Sequence, residues 1–350
     1  MTESLQTSVI ILGGSIVGLS SALFLAQRGV PCILIERHPG SSPHPPRHGL
    51  DAPHHGAVPD DPAHASLDDA GRKALIRHAI GSDEEIEILA QGTWALWGSI
   101  ADAFADKSLR AFLAGDAAHA LPPNRGGYGA NTGIADAHNL VCKLEAVLAG
   151  RTDRTLLGTY DAERRAVALV RHDQIFARED YRKYVADSAW LAERRKGGMG
   201  DIEVLDDVAM ELGQIYRSSG VMVKNGEESR WALAKTPAEW KGQPGTRAPH
   251  IWVQRNEEVI SSLDLFCAGW VLLSEDGGLI ERLGAVAGLE CVLVGQDVQE
   301  VEEGNFEAAF GVDKYGAVLV RPDGYIAARW GSGSSAEDIN RMYILVSYAS

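Results

Sequence analysis

Hydrophobic and polar residues follow a strand-helix-strand order at the start of the chain. Residues 8–12 (SVIIL) form a continuous apolar run that is typical of a buried strand. Residues 19–28 have the apolar spacing of an α-helix that ends at Gly29, and residues 32–35 (CILI) form a second apolar run. This order predicts a β-α-β unit with a parallel sheet.

The same patterns predict further elements along the chain. We expect helices over residues 72–79, 134–149, 156–182 (as one or two helices), 278–287 and 336–346. We expect strands over residues 85–89, 109–114, 263–274, 291–295, 317–321 and 325–330. The last two strands flank Pro322-Asp323-Gly324, which is a hairpin signal. The pattern breaks near residues 197–200, so we expect a domain over 1–195, a connector over 196–262 and a small α/β domain over 263–350.

Composition and charge narrow the class of protein. The 350 residues suffice for about two domains, and the net charge of −15 disfavours binding to nucleic acid or to anionic membranes. No apolar run reaches the ~18 residues of a membrane helix, and the first residues lack a secretory signal. The four cysteines lie far apart without a CxxC motif, so we expect reduced thiols in a cytoplasmic protein.

One segment departs from this regular pattern. Residues 38–64 hold seven of the 14 prolines and six of the 11 histidines, so we expect irregular structure over 38–67. The histidines could in principle ligate a metal, but no pair has the spacing of a dedicated site. We therefore predict no metal site.

A glycine-rich turn joins the first strand to the first helix. The pattern is Gly13-Gly14-Ser15, with Gly18 at the position of the third glycine of a dinucleotide fingerprint. Glycines let a pyrophosphate approach the backbone N–H groups at the helix N-terminus, and Glu36 stands where an acid binds the adenosine ribose. A tight turn without a ligand is the alternative, but the strand context and Glu36 favour nucleotide binding.

A second, longer motif lies further along the chain. It comprises FLAGDAAH at 112–119, Pro122-Pro123 and GGYGANTG at 126–133, followed by a helix with Asp136. This motif resembles the second FAD motif of the class A flavin monooxygenases, the aromatic-ring hydroxylases of the p-hydroxybenzoate hydroxylase type, and in particular their actinobacterial polyketide hydroxylase branch. The resemblance continues in shorter segments at 38–44, 160–165, 217–219, 247–252 and 316–330.

The resemblance implies a Rossmann-like FAD-binding domain followed by a C-terminal thioredoxin-like α/β domain. It implies that Asp116 binds the flavin ribityl hydroxyls, that the helix after the glycine loop faces the ring, and that NAD(P)H is the reductant. Pro122 and Tyr128 would lie near the ring, and no catalytic residue is assigned. The further residues that it adds to the cofactor site are Arg37, Arg47, Gly127, Gly129, Asn131 and Thr132. A homodimer through the C-terminal domain is implied by resemblance alone.

The chain also departs from the family pattern. Most of the middle section, which contains an Asp-Gly motif and covers the aromatic substrate, is missing after Gly49. Three hypotheses therefore stay open. The chain is an FAD-dependent oxidoreductase acting on an aromatic polyketide-type intermediate, a non-redox cyclase or isomerase on the same scaffold, or a non-catalytic interaction subunit.

Overall fold

The N-terminal unit has the predicted strand-helix-strand order. A computed structural model describes residues 6–39, 68–89, 98–121, 127–177, 204–222, 234–266 and 268–349. Strand β1 (Val9–Leu12) is followed by helix α1 (Ile16–Gln27) and strand β2 (Cys32–Ile35). The two strands pair in parallel, with Val9 opposite Cys32, so the prediction of a parallel β-α-β unit is confirmed.

Two long helices form the middle of the molecule. Helix α2 (Asp69–Ile80) precedes a short antiparallel pair, β3 (Ser99–Ile100) and β4 (His119–Ala120). Helix α3 (Tyr128–Leu148) begins six residues earlier than the apolar pattern predicted, and helix α4 (Gly158–Ala177) follows it. α3 packs along α1. The packing of the N-terminal unit therefore depends on a helix pair as well as on its sheet.

Two predicted strands in this region are wrong. Residues 85–89 form no regular element, and residues 109–114 form only an isolated bridge between Phe112 and Ala105. The Asp106 carboxylate accepts hydrogen bonds from the backbone N–H groups of Arg110 and Ala111, each at 2.7 Å. These donors are therefore used in closing a local loop and are not available to a neighbouring strand.

Short elements connect the two halves. They are α5 (Asp207–Leu212), α6 (Pro237–Trp240), β5 (Trp252–Arg255) and β6 (Glu258–Ser261). The single strand that we predicted over 263–274 is wrong in its first half, because Ser262–Phe266 forms a 3-10 turn. Only Trp270–Ser274 is extended, as strand β7.

The C-terminal sheet has four strands and helices on both faces. After β7 come α7 (Gly277–Leu283), β8 (Leu289–Leu293), the short β9 (Gln299–Glu300), α8 (Asn305–Phe310), β10 (Ala317–Val320), β11 (Ile326–Trp330) and α9 (Ala336–Ser347). The strand order is β11-β10-β7-β8, with β7 parallel to β8 and antiparallel to β10. This is the expected thioredoxin-like arrangement, and β10 and β11 form the hairpin predicted from Pro322-Asp323-Gly324.

Alternate residues of the strands fill two separate cores. Val318 and Val320 pack on one side with Phe306 and Phe310 of α8. Leu319 packs on the other side with residues of α9. Both faces of this sheet are therefore covered, as continuous apolar strands require.

Buried charges join the C-terminal hairpin to α3 and α4. Both Glu163 oxygens accept hydrogen bonds from Arg321, at 2.6 and 2.9 Å, and one also accepts from Lys143 at 2.6 Å. Asp323 pairs with Arg321 at 2.7 Å and accepts from Asn139 at 2.9 Å. Burial would raise the pKa of Glu163, but Arg321 and Lys143 outweigh it and hold that pKa well below its usual value. The two halves thus share one ionised network.

None of the helices in the described parts of the chain is both long enough and apolar enough to cross a membrane.

Candidate functional site

The glycine turn after β1 lies in very close contact with the first turn of α1. Gly13 has φ +110°, a conformation that side chains rarely adopt. A Cβ atom at Gly18 would lie 1.9 Å from the carbonyl oxygen of Gly13. Glycine is therefore required at both positions, and Ser15 stands directly before the first turn of α1.

Glu36 fixes the same turn from the end of β2. Its Oε2 atom accepts a hydrogen bond from the Gly14 N–H at 2.6 Å, and its Oε1 atom accepts one from His38 at 2.9 Å. The Gly14 hydrogen bond, followed by the one from His38, lowers the pKa of the Glu36 carboxyl. The carboxylate is exposed and ionised, while the neighbouring Arg37 donates to the His38 ring at 2.9 Å.

Val17 brings three distant motifs together. Its Cγ2 atom would lie 2.7 Å from a Cβ at Gly115 and 2.5 Å from a Cβ at Gly133. The first turn of α1, the 3-10 turn Gly115–Ala117 and the start of α3 therefore meet at one point, which we call the Val17 junction. Asp116 lies in the 3-10 turn with an exposed side chain.

Asp136 holds that 3-10 turn in place from inside α3. Its Oδ2 atom accepts from the Gly115 N–H at 3.1 Å and contacts the His119 ring at 2.6 Å, while Oδ1 accepts from Arg164 at 2.7 Å. Burial would raise the pKa of Asp136, but Arg164 and His119 together lower it. The sequence marked Asp136 only as part of the motif. The sequence does contain one signal for this positioning role. Asp136 lies on the apolar face of α3, and a buried carboxylate requires hydrogen-bond or charged partners.

The side chains of the first turn of α3 are engaged elsewhere. The Tyr128 hydroxyl donates to Asp207 at 2.7 Å, and the Asn131 amide donates to Glu211 at 3.2 Å. The buried Thr132 hydroxyl donates to the Tyr128 carbonyl oxygen. The resemblance implies that these three residues lie near the flavin ring. In the structure, Tyr128 and Thr132 are buried and Asn131 is hydrogen-bonded to Glu211 of α5.

The backbone at the two glycines of this turn is less crowded than the side chains are. Among the described residues, a Cβ at Gly129 would meet nothing within 4 Å, and the three atoms nearest to a Cβ at Gly127 belong to Asn131, at 3.6 Å or more. Arg47 and Pro122 lie outside the described residues, as do the five histidines at 44–64 that we weighed as metal ligands. Among the described residues, no group of three or more histidine, cysteine or acidic side chains could hold a metal ion.

The helix N-termini at the Val17 junction differ from others in the molecule. Side chains cap α2, α5, α7 and α9 through Asp68, Asp206, Asp276 and Ser335. Neither Ser15 before α1 nor Gly127 before α3 makes a side-chain capping bond. The residue directly before each of these two helices therefore supplies no side-chain acceptor to the first-turn N–H groups, and the positive end of the helix dipole favours negative charge there. This arrangement fits a dinucleotide pyrophosphate at α1 and an electron-rich ring edge at α3.

Family models match both halves of the chain. A model described as FAD binding domain matches residues 6–53 and 59–173, and one described as aromatic-ring hydroxylase, C-terminal, matches residues 241–343. The chain belongs to the family of FAD-dependent aromatic-ring hydroxylases.

Individual relatives agree with this family. A 4-methyl-5-nitrocatechol 5-monooxygenase from Burkholderia sp is 39% identical over 274 residues, covering 75% of this chain and 47% of that protein. Aklavinone 12-hydroxylase RdmE from Streptomyces purpurascens is 35% identical over 253 residues, covering 70% and 44%. The resemblance to polyketide hydroxylases is thereby confirmed.

Solved structures lead to the same family. An aklavinone-11 hydroxylase in complex with FAD and aklavinone superposes with a TM-score of 0.68 at 28% identity, covering 82% of this chain and 53% of the other. RebC with bound 7-carboxy-K252c gives a TM-score of 0.59 at 32% identity, covering 81% and 53%. The chain spans about half the length of the curated relatives that it matches, which agrees with the missing middle section.

Proposed function

We propose that this flavin hydroxylase relative binds FAD at the Val17 junction and acts as an oxidoreductase on an aromatic, polyketide-type substrate. The observation that carries the proposal is the contact of Val17, in the first turn of α1, with Gly115 next to the exposed Asp116 and with Gly133 in the second turn of α3. Each of these features complements a different part of one dinucleotide.

The residues of the chain have separate roles in this proposal. The backbone N–H groups of residues 16–18, in the first turn of α1, bind the pyrophosphate, and Glu36 accepts hydrogen bonds from the ribose hydroxyls. Asp116 accepts the ribityl hydroxyls, while Asp136 keeps the Asp116 turn in place through Gly115. The N-terminus of α3 stabilises negative charge at the ring edge. When bound, FAD supplies two-electron redox chemistry, with NAD(P)H as the source of electrons.

The names of the relatives support the substrate class. They include monooxygenases for a nitrocatechol and for tetracenomycins, and hydroxylases for aklavinone and polyketides. All these names refer to oxygenation, and one of them refers to a polyketide. We therefore propose a fused-ring phenol or quinone as the substrate of this chain, in a cytoplasmic biosynthetic setting.

The visible spectrum tests the cofactor directly. The purified protein is incubated with FAD, desalted and scanned, and we expect a retained flavin spectrum that NADPH or dithionite bleaches. Asp116→Ala should weaken FAD binding at least tenfold. Asp102→Ala removes another exposed acid and should leave binding unchanged. A protein that retains no flavin would contradict the proposal.

The half-length of the chain favours a second candidate, a non-redox cyclase or isomerase on this scaffold. The middle section that covers the substrate in the family is missing, and exclusion of water from the ring depends on such a cover. If the protein retains no flavin but converts a polyketide intermediate without a reductant, this second function replaces the first.

A further inference from the structure

A single arginine of α4 connects α3 to the connector in the centre of the molecule. Arg164 is fully buried. Its Nε atom donates to Asp136 at 2.7 Å, and its Nη2 atom donates to the Thr132 carbonyl oxygen at 3.1 Å. Its Nη1 atom donates to the Tyr216 hydroxyl at 3.0 Å and to the Gln214 side chain at 3.3 Å. Because all three nitrogens are used, the planar guanidinium is held by α3 on one side and by the connector on the other.

The α3 side of this arginine leads to the flavin motif. Asp136, which Arg164 binds through Oδ1, accepts the Gly115 N–H at 3.1 Å through Oδ2. Gly115 begins the 3-10 turn that carries Asp116. A displacement of the Arg164 guanidinium would therefore move the Asp136 carboxylate and, through it, the turn that presents Asp116.

The connector side leads to the C-terminal hairpin. The buried Tyr216 ring stacks on the Tyr325 ring, with 3.9 Å between the centroids, and the Arg321 guanidinium lies 5.4 Å from the Tyr216 centroid. The Tyr216 N–H donates to the Gly245 carbonyl oxygen at 2.7 Å, and the Gly245 N–H donates to the Ile326 carbonyl oxygen of β11 at 2.7 Å. The hairpin thus fixes Tyr216 through both its side chain and its backbone.

A second arginine of α4 holds the first turn of α3 by a separate route. Arg171 donates to the Tyr128 carbonyl oxygen at 3.1 Å and to the Met210 carbonyl oxygen of α5 at 3.2 Å. Loss of the contact between Arg164 and Tyr216 would therefore leave this turn attached to α5. The effect should be concentrated at the Asp116 turn, which depends on Asp136.

We propose that Arg164 is a positioning residue for the flavin site, and that Tyr216 makes the position of Arg164 depend on the C-terminal hairpin. Because Arg164 is fully buried, it acts through Asp136 and Gly115 and not on the cofactor itself. The consequence for FAD rests on the proposed function, in which Asp116 binds the ribityl hydroxyls. The coupling of the hairpin to the Asp116 turn is a property of the chain alone and can be measured without a cofactor.

Tyr216→Phe removes the hydroxyl that Arg164 binds and retains the ring that stacks on Tyr325. We expect the Kd for FAD, measured by flavin fluorescence titration, to rise about threefold or more, as loss of one buried hydrogen bond allows. Tyr343→Phe is the matched control. Tyr343 is also buried, and its hydroxyl donates to the Ala287 carbonyl oxygen at 3.0 Å within the C-terminal domain. This control should leave the Kd unchanged.

A double variant separates positioning from a general loss of stability. Arg164→Lys keeps a positive charge beside Asp136, but an ammonium group lacks the planar fork that binds Thr132 and Tyr216 together. We expect the Kd for FAD to rise about tenfold or more. Tyr216→Phe should then add no further loss in the Arg164→Lys background, because the contact that it removes is already absent. Additive losses would contradict the proposal.

Hydrogen–deuterium exchange of the cofactor-free protein tests the coupling independently of FAD. We expect a peptide over residues 112–121 to exchange about threefold faster or more in Tyr216→Phe than in the wild-type protein, and equally fast in Tyr343→Phe. If the wild-type protein retains no FAD, the proposed function fails, but this exchange still decides the inference. Unchanged exchange at 112–121 in Tyr216→Phe would overturn it, as would an equal change in Tyr343→Phe. In a wild-type protein that binds FAD, an unchanged Kd in Tyr216→Phe would overturn it as well.

Discussion

The N-terminal and C-terminal sheets contain equally apolar strands but bury them to different extents. Every residue of β10 is buried. In β1, by contrast, Ile10 is 61% and Leu12 is 80% exposed. The C-terminal sheet has four strands and helices on both faces, whereas β1 pairs only with β2 among the described residues. An apolar run therefore indicates a strand that can be buried, but the layers around it decide whether it is.

The two regions also differ in the interactions that stabilise them. Apolar cores and a buried ion network hold the C-terminal sheet and its hairpin. The N-terminal unit relies on the packing of α1 against α3 and on close glycine contacts. Substitutions should therefore have large effects on folding in one region and on ligand binding in the other.

Glu163→Gln should have the largest effect on stability. It leaves Arg321 and Lys143 without their shared carboxylate in a buried site, and we expect a loss of about 3–5 kcal/mol in the free energy of unfolding. Urea denaturation measures it. Glu145→Gln is the control, because its partner Arg151 is exposed, and it should cost about 0–1 kcal/mol. Similar losses for both variants would contradict the prediction.

A comparison of Leu319→Ala with Ile10→Ala tests the difference in burial between the two sheets. Leu319 is fully buried, so its truncation should cost about 3 kcal/mol through lost burial and a cavity. Ile10 is mostly exposed, and its truncation should cost less than about 1 kcal/mol. Denaturant titrations of the two variants give the comparison, and an equally large loss for Ile10→Ala would show that β1 is covered.

Gly18→Ala should affect the flavin site more than the fold. Its Cβ would collide with the Gly13 carbonyl oxygen, so the turn must open and FAD affinity should fall at least tenfold. Flavin fluorescence titration measures the affinity. Gly158→Ala is the matched control, because a Cβ there meets nothing within 4 Å. Unchanged FAD affinity in Gly18→Ala would separate this turn from cofactor binding.

The smallest expected effect is a loss of stability in acid. The pKa of Glu163 and that of Asp136 lie below their usual values of 4.5 and 3.8. Their contribution is therefore present above those values and is lost as the pH falls, because the unfolded chain binds protons first. The free energy of unfolding should decrease between about pH 5 and pH 3. The decrease should be less steep in Glu163→Gln than in the control Glu87→Gln, because Glu87 is exposed and lies outside any helix or strand. Equal slopes would contradict the role of Glu163.

Local signals explain which elements the sequence could predict. The first β-α-β unit and the β10–β11 hairpin each follow from apolar runs next to a glycine turn. The prediction of a strand over 109–114 was wrong because the Asp106 carboxylate accepts hydrogen bonds from two backbone N–H groups of this segment. The pattern of apolar residues contains no information about such a side-chain hydrogen bond.

The candidate site divides in a similar way. Glycine spacing located Gly13 and Gly18, and the resemblance located Asp116. The Val17 junction and the Asp136–Arg164 pair could not be predicted, because they join positions 18 to 116 residues apart that only the fold brings together. The hydroxyl of the buried Tyr128 likewise donates to Asp207, which is remote in sequence.

Helix α3 connects the two regions. Its second turn lies at the Val17 junction through Gly133, while Asn139 and Lys143, about 9–15 Å further along the helix, are hydrogen-bonded within the Glu163–Arg321–Asp323 network. The C-terminal domain thus helps to fix the direction of the helix whose N-terminus faces the proposed flavin site. In a chimaera with a relative's C-terminal domain, the graft must include a matching Arg-Pro-Asp turn at 321–323, or the dipole will point in a new direction.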